Sequence, residues 1–583
     1  MPKNSAEKKD DLISFAIAAI LFSVYWILRC RTFGPGDSPQ HVLSAVTWGV
    51  SVAPGYPLYV ILGKLMSVLP FGTTAANVNG LSGLLHAAAA GIFYLLLKKQ
   101  GQGTLPALVA TALMAFSRLF WYYSEIAEVR ALNDFLAVTA ALALVVYSHQ
   151  RTSAIIFAAA AIGLGLGHHP TFVLILPALA YLLWTKKSDL KRASPLLPAA
   201  VAVAACAAPY LILWIRLHNG APAWNPAETK TAHDVWALFT RQSVGGPLRM
   251  VVGSGVFGFG SFDGPRFLQH LLWFISACWT DINPAGLVLA AIGAFALWTN
   301  ERRTLFFWAL WIFVSAFVFI AISSQQLILC DADYVRGMVA RFYLLPYIGI
   351  FALAGFGAGR VLEKIRPVFG WALLLGVIAI PVFARPMDLR HHNILMDYCR
   401  LIVKSSGPKD MIILAPDDTI LGMSYLELAE GSTEDRVLLV PSLFAYPPYI
   451  RRLHARHPDL ALPFEKRALS VDWSQWLKMN PGRRLFSEAV NRDTLLERAP
   501  NSIPHGVLAE VLVKPRKSDP GADANEFLAM TPDDFITRWG IEDFTQEVYL
   551  TRTYRMLLEW YGSRLGPHDE AVGLRLKARL EAL

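Results

Sequence analysis

The sequence predicts an α-helical polytopic membrane protein with about eleven transmembrane helices, followed by an extracytoplasmic α/β domain. Three observations carry this. Across 583 residues the mean hydropathy is +0.40, with 54% hydrophobic and 17% charged residues, too apolar and too charge-poor for a soluble chain of this size. Crossing about 30 Å of hydrocarbon takes roughly 20 apolar helical residues, and runs of that kind recur down to residue 386 and then stop. The Lys and Arg residues of the short loops fall on alternate connections, as repeated crossings with one basic side require.

The first run, 12–28, follows Lys8 and Lys9 and ends in RCRTFGPGD without a small-residue cleavage site, which reads as a retained signal anchor. Spans are predicted near 11–29, 75–97, 104–122, 129–148, 154–168, 171–185, 194–216, 284–299, 304–322, 342–362 and 368–385. Lys3, Lys8 and Lys9, then Lys98 and Lys99, Arg151, Lys186 to Arg192, Arg302 and Arg303, and Arg360 to Arg366 all fall on one side. The positive-inside rule makes that side cytoplasmic and, with an odd number of crossings, exports the tail of an inner-membrane protein. The net charge of +9 comes largely from these flanks and a basic tail, so it gives no reason to invoke nucleic acid. Five cysteines cannot all pair with one another. Cys30, Cys330 and Cys399 lie towards the exported side, leaving one disulfide open, and no Cys-x-x-Cys supports a zinc or redox site.

Two outer loops are long, 30–72 and 218–281, and the inner ones are short. Function is therefore expected on the outer face. Beyond residue 386 the pattern becomes that of a soluble α/β domain, 387–583: KDMIILAPDD as strand and turn, TILGMSYLELAEG as helix, EDRVLLVPS and GVLAEVLVKP as strands, and 533–583 mostly helical.

The candidate chemistry lies in the outer loops. Asp37 precedes Ser38-Pro39, which suits a first helical turn, so Asp37 reads either as an N-cap or as a carboxylate within reach of both a lipid headgroup and a water-soluble acceptor. His41, one turn on, reads as a solvated histidine sharing its face. PGYPLY, with Tyr56 and Tyr59, sets a rigid corner at the depth of an aromatic belt. FWYYSEIAEVRALN places Glu125, Glu128 and Arg130 beside the membrane. The two glutamates would share a helix face, and Arg130 would not meet Glu128 on a continuous helix; the cluster reads either as an interfacial Glu–Arg pair or as part of a site. His168 and His169 in GLGHHPTF point about 100° apart if helical, against joint metal ligation. Arg336 and Arg341, in DADYVRGMVARFYLLP, read either as snorkelling side chains or as forks for a phosphate.

GDSPQH, PGYPLYVILGKLMSVLP, VNGLSGLLHA, SEIAEVRALN, GLGLGHHPTFVLILPAL and PDDTILGMSYL together resemble the protein O-mannosyltransferase-like membrane family of the glycosyltransferase C (GT-C) superfamily, most clearly over the first 190 residues. The resemblance implies a GT-C-like transmembrane domain, 1–386, that takes sugar from a polyprenyl-phosphate donor at the outer face and passes it to a protein or glycan hydroxyl. It implies a catalytic aspartate at Asp37, a Glu-Val-x-x-Leu-Asn motif at Glu128, Val129, Leu132 and Asn133, and a functional histidine at His169. This chain departs from the family in having Val52-Ala53 before Pro-Gly-Tyr-Pro in place of His-Pro, and Arg130 in place of a tyrosine.

A phosphate-activated sugar needs one base and charge stabilisation of the leaving group. Asp37 would then deprotonate the acceptor with inversion, while Arg341, Arg336 or Arg130 steadies the phosphate. No cofactor is required by this chemistry, and a divalent cation is left open. Two rivals stand beside it: a lipid-linked substrate flippase, and a non-catalytic assembly protein in which Asp37 is only a cap.

Overall fold

The computed structural model describes residues 5–148, 153–190, 194–242, 263–326, 332–384, 387–464, 471–488, 501–514, 516, 518–533, 535 and 548–583. Lys3, Arg151, Lys191, Arg192, Cys330, Asp331 and Pro386 lie outside them, as do 243–262 of the second outer loop and 536–547 of the tail. The chain divides into two compact units. One comprises Met1–Arg31, Ser44–Pro222 and Thr229–Arg390; the other comprises Thr32–Leu43, Ala223–Glu228 and His391–Leu583.

The first unit is helical. Among the described residues six helices are long and apolar enough to cross a bilayer: Ser5–Leu28, Thr74–Lys99, Leu196–His218, Gly264–Asn300, Arg302–Ser324 and Val335–Leu362. Helices also lie at the other five expected spans, but they are short or broken. Thr104–Ala115 stops at Phe116, and Ser153–His168 is followed by a 3-10 turn, Pro170–Ile175, before Leu176–Thr185. Pro170 explains that second break, because a proline disfavours helical backbone in the residue before it.

The two long loops are partly helical, as the Ser38-Pro39 turn suggested for the first of them. Ser38–Val46 and Pro57–Ser67 occupy the first. Gly264–Ala277 in the second runs through a π-turn, Cys278–Ile282, into Asn283–Asn300.

Small residues let these helices approach. A Cβ at Gly293 would strike the Leu353 carbonyl and one at Gly357 the Leu289 carbonyl, so Asn283–Asn300 and Leu344–Leu362 touch backbone to backbone. Such packing replaces the hydrophobic drive that lipid surroundings remove.

The second unit carries a five-stranded sheet in the order β2-β1-β3-β5-β4, with β1 Met411–Ile413, β2 Val437–Leu439, β3 Leu485–Glu488, β4 Ser502–His505 and β5 Leu508–Val511. β1 runs parallel to β2 and β3, whereas β5 is antiparallel to β3 and β4. β1, β2 and β5 coincide with strands expected from the sequence. β3 and β4 have four residues each and too little alternation to be read in advance. Met411, Ile413, Leu439, Phe444, Trp476 and Leu485 form one core on this sheet. No disulfide joins the described cysteines Cys30, Cys206, Cys278 and Cys399.

Candidate functional site

In the first unit the SEIAEVR segment is not one helix. The helix Arg118–Tyr122 ends, a turn carries Ser124 to Glu128, and a new helix begins at Arg130. Arg130 can therefore fold back on Glu128, which a continuous helix forbids: its Nη1 donates to Glu128 Oε1 at 2.6 Å. Arg341 Nη1 stands 3.7 Å from Glu128 Oε2. All three side chains are buried, at 5%, 2% and 8% exposure for Arg130, Glu128 and Arg341, so their charges are poorly screened. Two guanidinium groups thus meet at one buried carboxylate. The Arg130 guanidinium also stacks on Phe342 at 3.9 Å, and its buried Nε has no hydrogen-bond partner among the described residues. A buried donor of this kind costs free energy unless something accepts from it.

The frame around this cluster is built from the other predicted residues. The Glu128 amide donates to Ser82 Oγ at 2.9 Å, and Ser82 lies 3.2 Å from the Tyr59 hydroxyl. His168 Nε2 lies 2.8 Å from the Val129 carbonyl, which can only accept, so Nε2 carries the proton. His169 Nδ1 accepts from the Thr171 amide at 3.1 Å and caps the Pro170–Ile175 turn. Tyr56, in left-handed backbone at φ 44°, stacks on His169 at 5.7 Å. Tyr56 and Tyr59 are thus packed inside, not spread in an interfacial belt.

Burial holds His169 well below the usual imidazole range, helped by the charges of Arg130, His168, Arg241 and Arg341, so the ring is neutral at pH 7. Arg241 was missed in the sequence because it sits in an unpatterned loop. Its φ of 56° follows the helix Ala232–Phe239. Arg336 is half-buried on the helix Ala332–Ala340, which leads into Arg341, and Asn133 is buried in the helix Arg130–Val146.

Glu125 does not join Glu128 on a shared helix face. Its carboxylate accepts from Trp121 Nε1 at 2.7 Å, and its carbonyl accepts from the Cys30 amide at 3.0 Å. Burial pushes this carboxyl well above its ordinary range despite the Trp121 hydrogen bond.

Asp37 belongs to the second unit. It is a half-buried turn residue whose carbonyl accepts from the His41 amide at 3.0 Å as the helix Ser38–Val46 begins. His41, expected in solvent, is 1% exposed, because residues 38 to 45 are buried on every face of this short helix. Desolvation and then the charge of Asp37 push the Asp417 carboxyl up. The next residue, Asp418, is fully buried and accepts from the Gly36 amide through Oδ1. Glu488, also fully buried, accepts from the Ala415 amide at 2.9 Å and from the Tyr398 hydroxyl at 3.3 Å. Burial outweighs these hydrogen bonds and pushes its carboxyl up to about 7. For the divalent cation that the sequence leaves open, the described residues offer no group of three or more His, Cys, Asp or Glu placed to hold a metal.

Comparison with known proteins shows what this chain is similar to. Residues 37–192 match the family model described as the protein O-mannosyl-transferase TMEM260 N-terminal domain. The chain is 25% identical over 484 residues, 78% of its length, to protein O-mannosyl-transferase TMEM260 of Mus musculus, of which it covers 66%. It is 24% identical over 371 residues, 60% of its length, to protein O-mannosyl-transferase tmem260 of Dictyostelium discoideum, of which it covers 44%. It therefore spans just under two thirds of the first relative and under half of the second. Among solved structures, the Archaeoglobus fulgidus oligosaccharyltransferase complex with Zn and sulfate aligns with a TM-score of 0.41 at 13% identity, covering 83% of this chain and 69% of that one.

Proposed function

We propose that this chain, O-mannosyltransferase-like through the family segment at residues 37–192, is a membrane glycosyltransferase that moves a hexose from a polyprenyl-phosphate donor to a hydroxyl acceptor with inversion. The observation that carries the reading is the buried trio of Arg130, Glu128 and Arg341, in which two guanidinium groups converge and the Arg130 Nε–H has no hydrogen-bond partner among the described residues. A phosphate diester supplies negative charge and a hydrogen-bond acceptor together. Planar guanidinium forks suit it better than an ammonium would.

The same unit holds an apolar groove of about 520 Å³ lined by Leu166, Val203, Tyr210, Trp214, Val235 and Phe239. The Tyr210 hydroxyl donates to the Pro54 carbonyl at 2.9 Å, and Tyr56, two residues on, stacks on His169. An isoprenoid in this groove and its phosphate beside the arginines would thus be joined through the Pro-Gly-Tyr-Pro corner. This gives that rigid segment a use beyond shape.

In the reaction Asp37 takes the proton of the acceptor hydroxyl as its oxygen attacks the anomeric carbon. The bond from that carbon to the phosphate oxygen breaks, and the polyprenyl phosphate leaves with the electron pair. The arginines are worth most here, because charge on that oxygen grows as the bond breaks. Neutral His169 adds neither a further charge nor an acid, and the weakly basic leaving group needs none.

The test is transfer from a radiolabelled polyprenyl-phosphate hexose to a hydroxyl acceptor by purified protein, wild type against Asp37→Asn. Loss of at least about 100-fold in turnover is expected from removing a general base. Undiminished transfer by the variant would sink the assignment. Carrier movement across vesicles without transfer would point to a flippase.

A further inference from the structure

We propose that Asp418 is a positioning residue for the reaction, holding the turn that presents Asp37; this deepens, and rests on, the reading of Asp37 as the base. The sequence separates the two by hundreds of residues, yet Thr32–Leu43 folds into the same compact unit as His391–Leu583. Three attachments fix the stretch that leads into Asp37. Thr32 Oγ1 donates to Asn393 Oδ1 at 3.1 Å. The Phe33 ring meets Tyr425 edge to face at 5.3 Å and lies over Gly422, where a Cβ would come within 3.3 Å of the ring and 2.7 Å of Cys399 Sγ. Gly36, at φ 69°, turns the chain and gives its amide to Asp418. Beyond that turn the Gly34 amide donates to Ser38 Oγ at 3.1 Å, and the helix starts.

Asp418 can serve as an anchor because it is itself held. It lies in the first turn of the helix Asp417–Tyr425, directly after β1. β1 runs parallel to β3, so Ala415 and Glu488 come together at the carboxyl ends of the two strands, where they hydrogen-bond. The next residue, Thr419, lies 2.9 Å from the Tyr549 hydroxyl. A base delivered by a turn tied to a sheet and helix keeps its geometry better than one on an unsupported loop, and a shift of about 1 Å at a reacting group can cost about 100-fold in rate.

The experiment compares Asp418→Ala, Asp418→Asn, Thr32→Val and Asp37→Asn in the full-length, detergent-solubilised chain, with kcat and donor KM resolved and folding followed by thermal melting. Asp418→Ala is expected to lower kcat about 100-fold with donor KM within about threefold, the signature of misplacement without lost binding. Asp418→Asn keeps an acceptor oxygen for the Gly36 amide and should recover kcat to within about tenfold of wild type. Thr32→Val loosens a less buried attachment and should lower kcat by about threefold or more at unchanged KM. It decides the matter if Asp418→Ala does not fold. Wild-type kcat in Asp418→Ala, or in Thr32→Val if that variant must decide, while Asp37→Asn is inactive, overturns the positioning role alone. Full activity of Asp37→Asn overturns the base itself.

Discussion

Replacing Glu488 by glutamine should flatten the pH dependence of stability of this protein between about pH 4.5 and pH 7. The carboxyl is fully buried, and its pKa moves from 4.5 to about 7 on folding, chiefly through desolvation. The folded state thus binds the Glu488 proton more tightly than the unfolded chain does. Stability falls as pH rises through that window and is level above it. A shift of about 2.5 units at about 1.36 kcal/mol each gives a loss on the order of 3 kcal/mol by pH 8. Glutamine imitates the protonated acid, keeps an oxygen for the Ala415 amide and can turn its NH2 towards Tyr398, so it should avoid most of that loss. For a unit of this size, about 3 kcal/mol corresponds to a melting point raised by roughly 5–10 °C at pH 8, shrinking to nothing near pH 4.5. The assay is thermal unfolding of the solubilised full chain at half-unit pH steps from 4.5 to 8. Parallel curves for wild type and variant across the range would refute the argument that burial dominates at Glu488.

Two further outcomes follow from the first unit. Arg130→Lys and Arg341→Lys should each raise donor KM and lower kcat, together reducing kcat/KM about 10- to 100-fold. An ammonium keeps the charge but not the two-point hydrogen bonding, and at residue 130 it also gives up the flat stack on Phe342. Steady-state kinetics with varied donor would check this, and unchanged kcat/KM in both would remove the arginines from phosphate binding. Gly357→Leu should destabilise the helical unit by on the order of 3 kcal/mol, because the new side chain must push Leu344–Leu362 off the Leu289 carbonyl. A melting point equal to wild type would show that the two helices are not in backbone contact.

The positions of the apolar helices were legible because hydrocarbon thickness imposes a length that a sliding window can see. The acidic segment 125–130 was legible because charge beside apolar helices is rare. A Glu–Arg pair there was one of two open readings, and the sequence could not choose Glu128 with Arg130, since that pairing depends on a helix starting at Arg130 and single-sequence periodicity does not locate such a start. Burial of His41 was misjudged for a related reason: a nine-residue helix enclosed on all faces shows no polar side to distinguish it.

By itself, the sequence determined a many-helix apolar chain with an α/β tail, because local composition and spacing encode those features, and with the family resemblance it named Asp37, Glu128 and the arginines 130, 336 and 341 as candidates. The tertiary structure alone decided that Thr32–Leu43 folds with the tail and that Asp418 holds the turn before Asp37. It alone also decided that Arg341 closes on Glu128 from two hundred residues away. These are contacts between distant segments, whose free energy lies in mutual burial and hydrogen bonding, and no short window of residues carries a record of them.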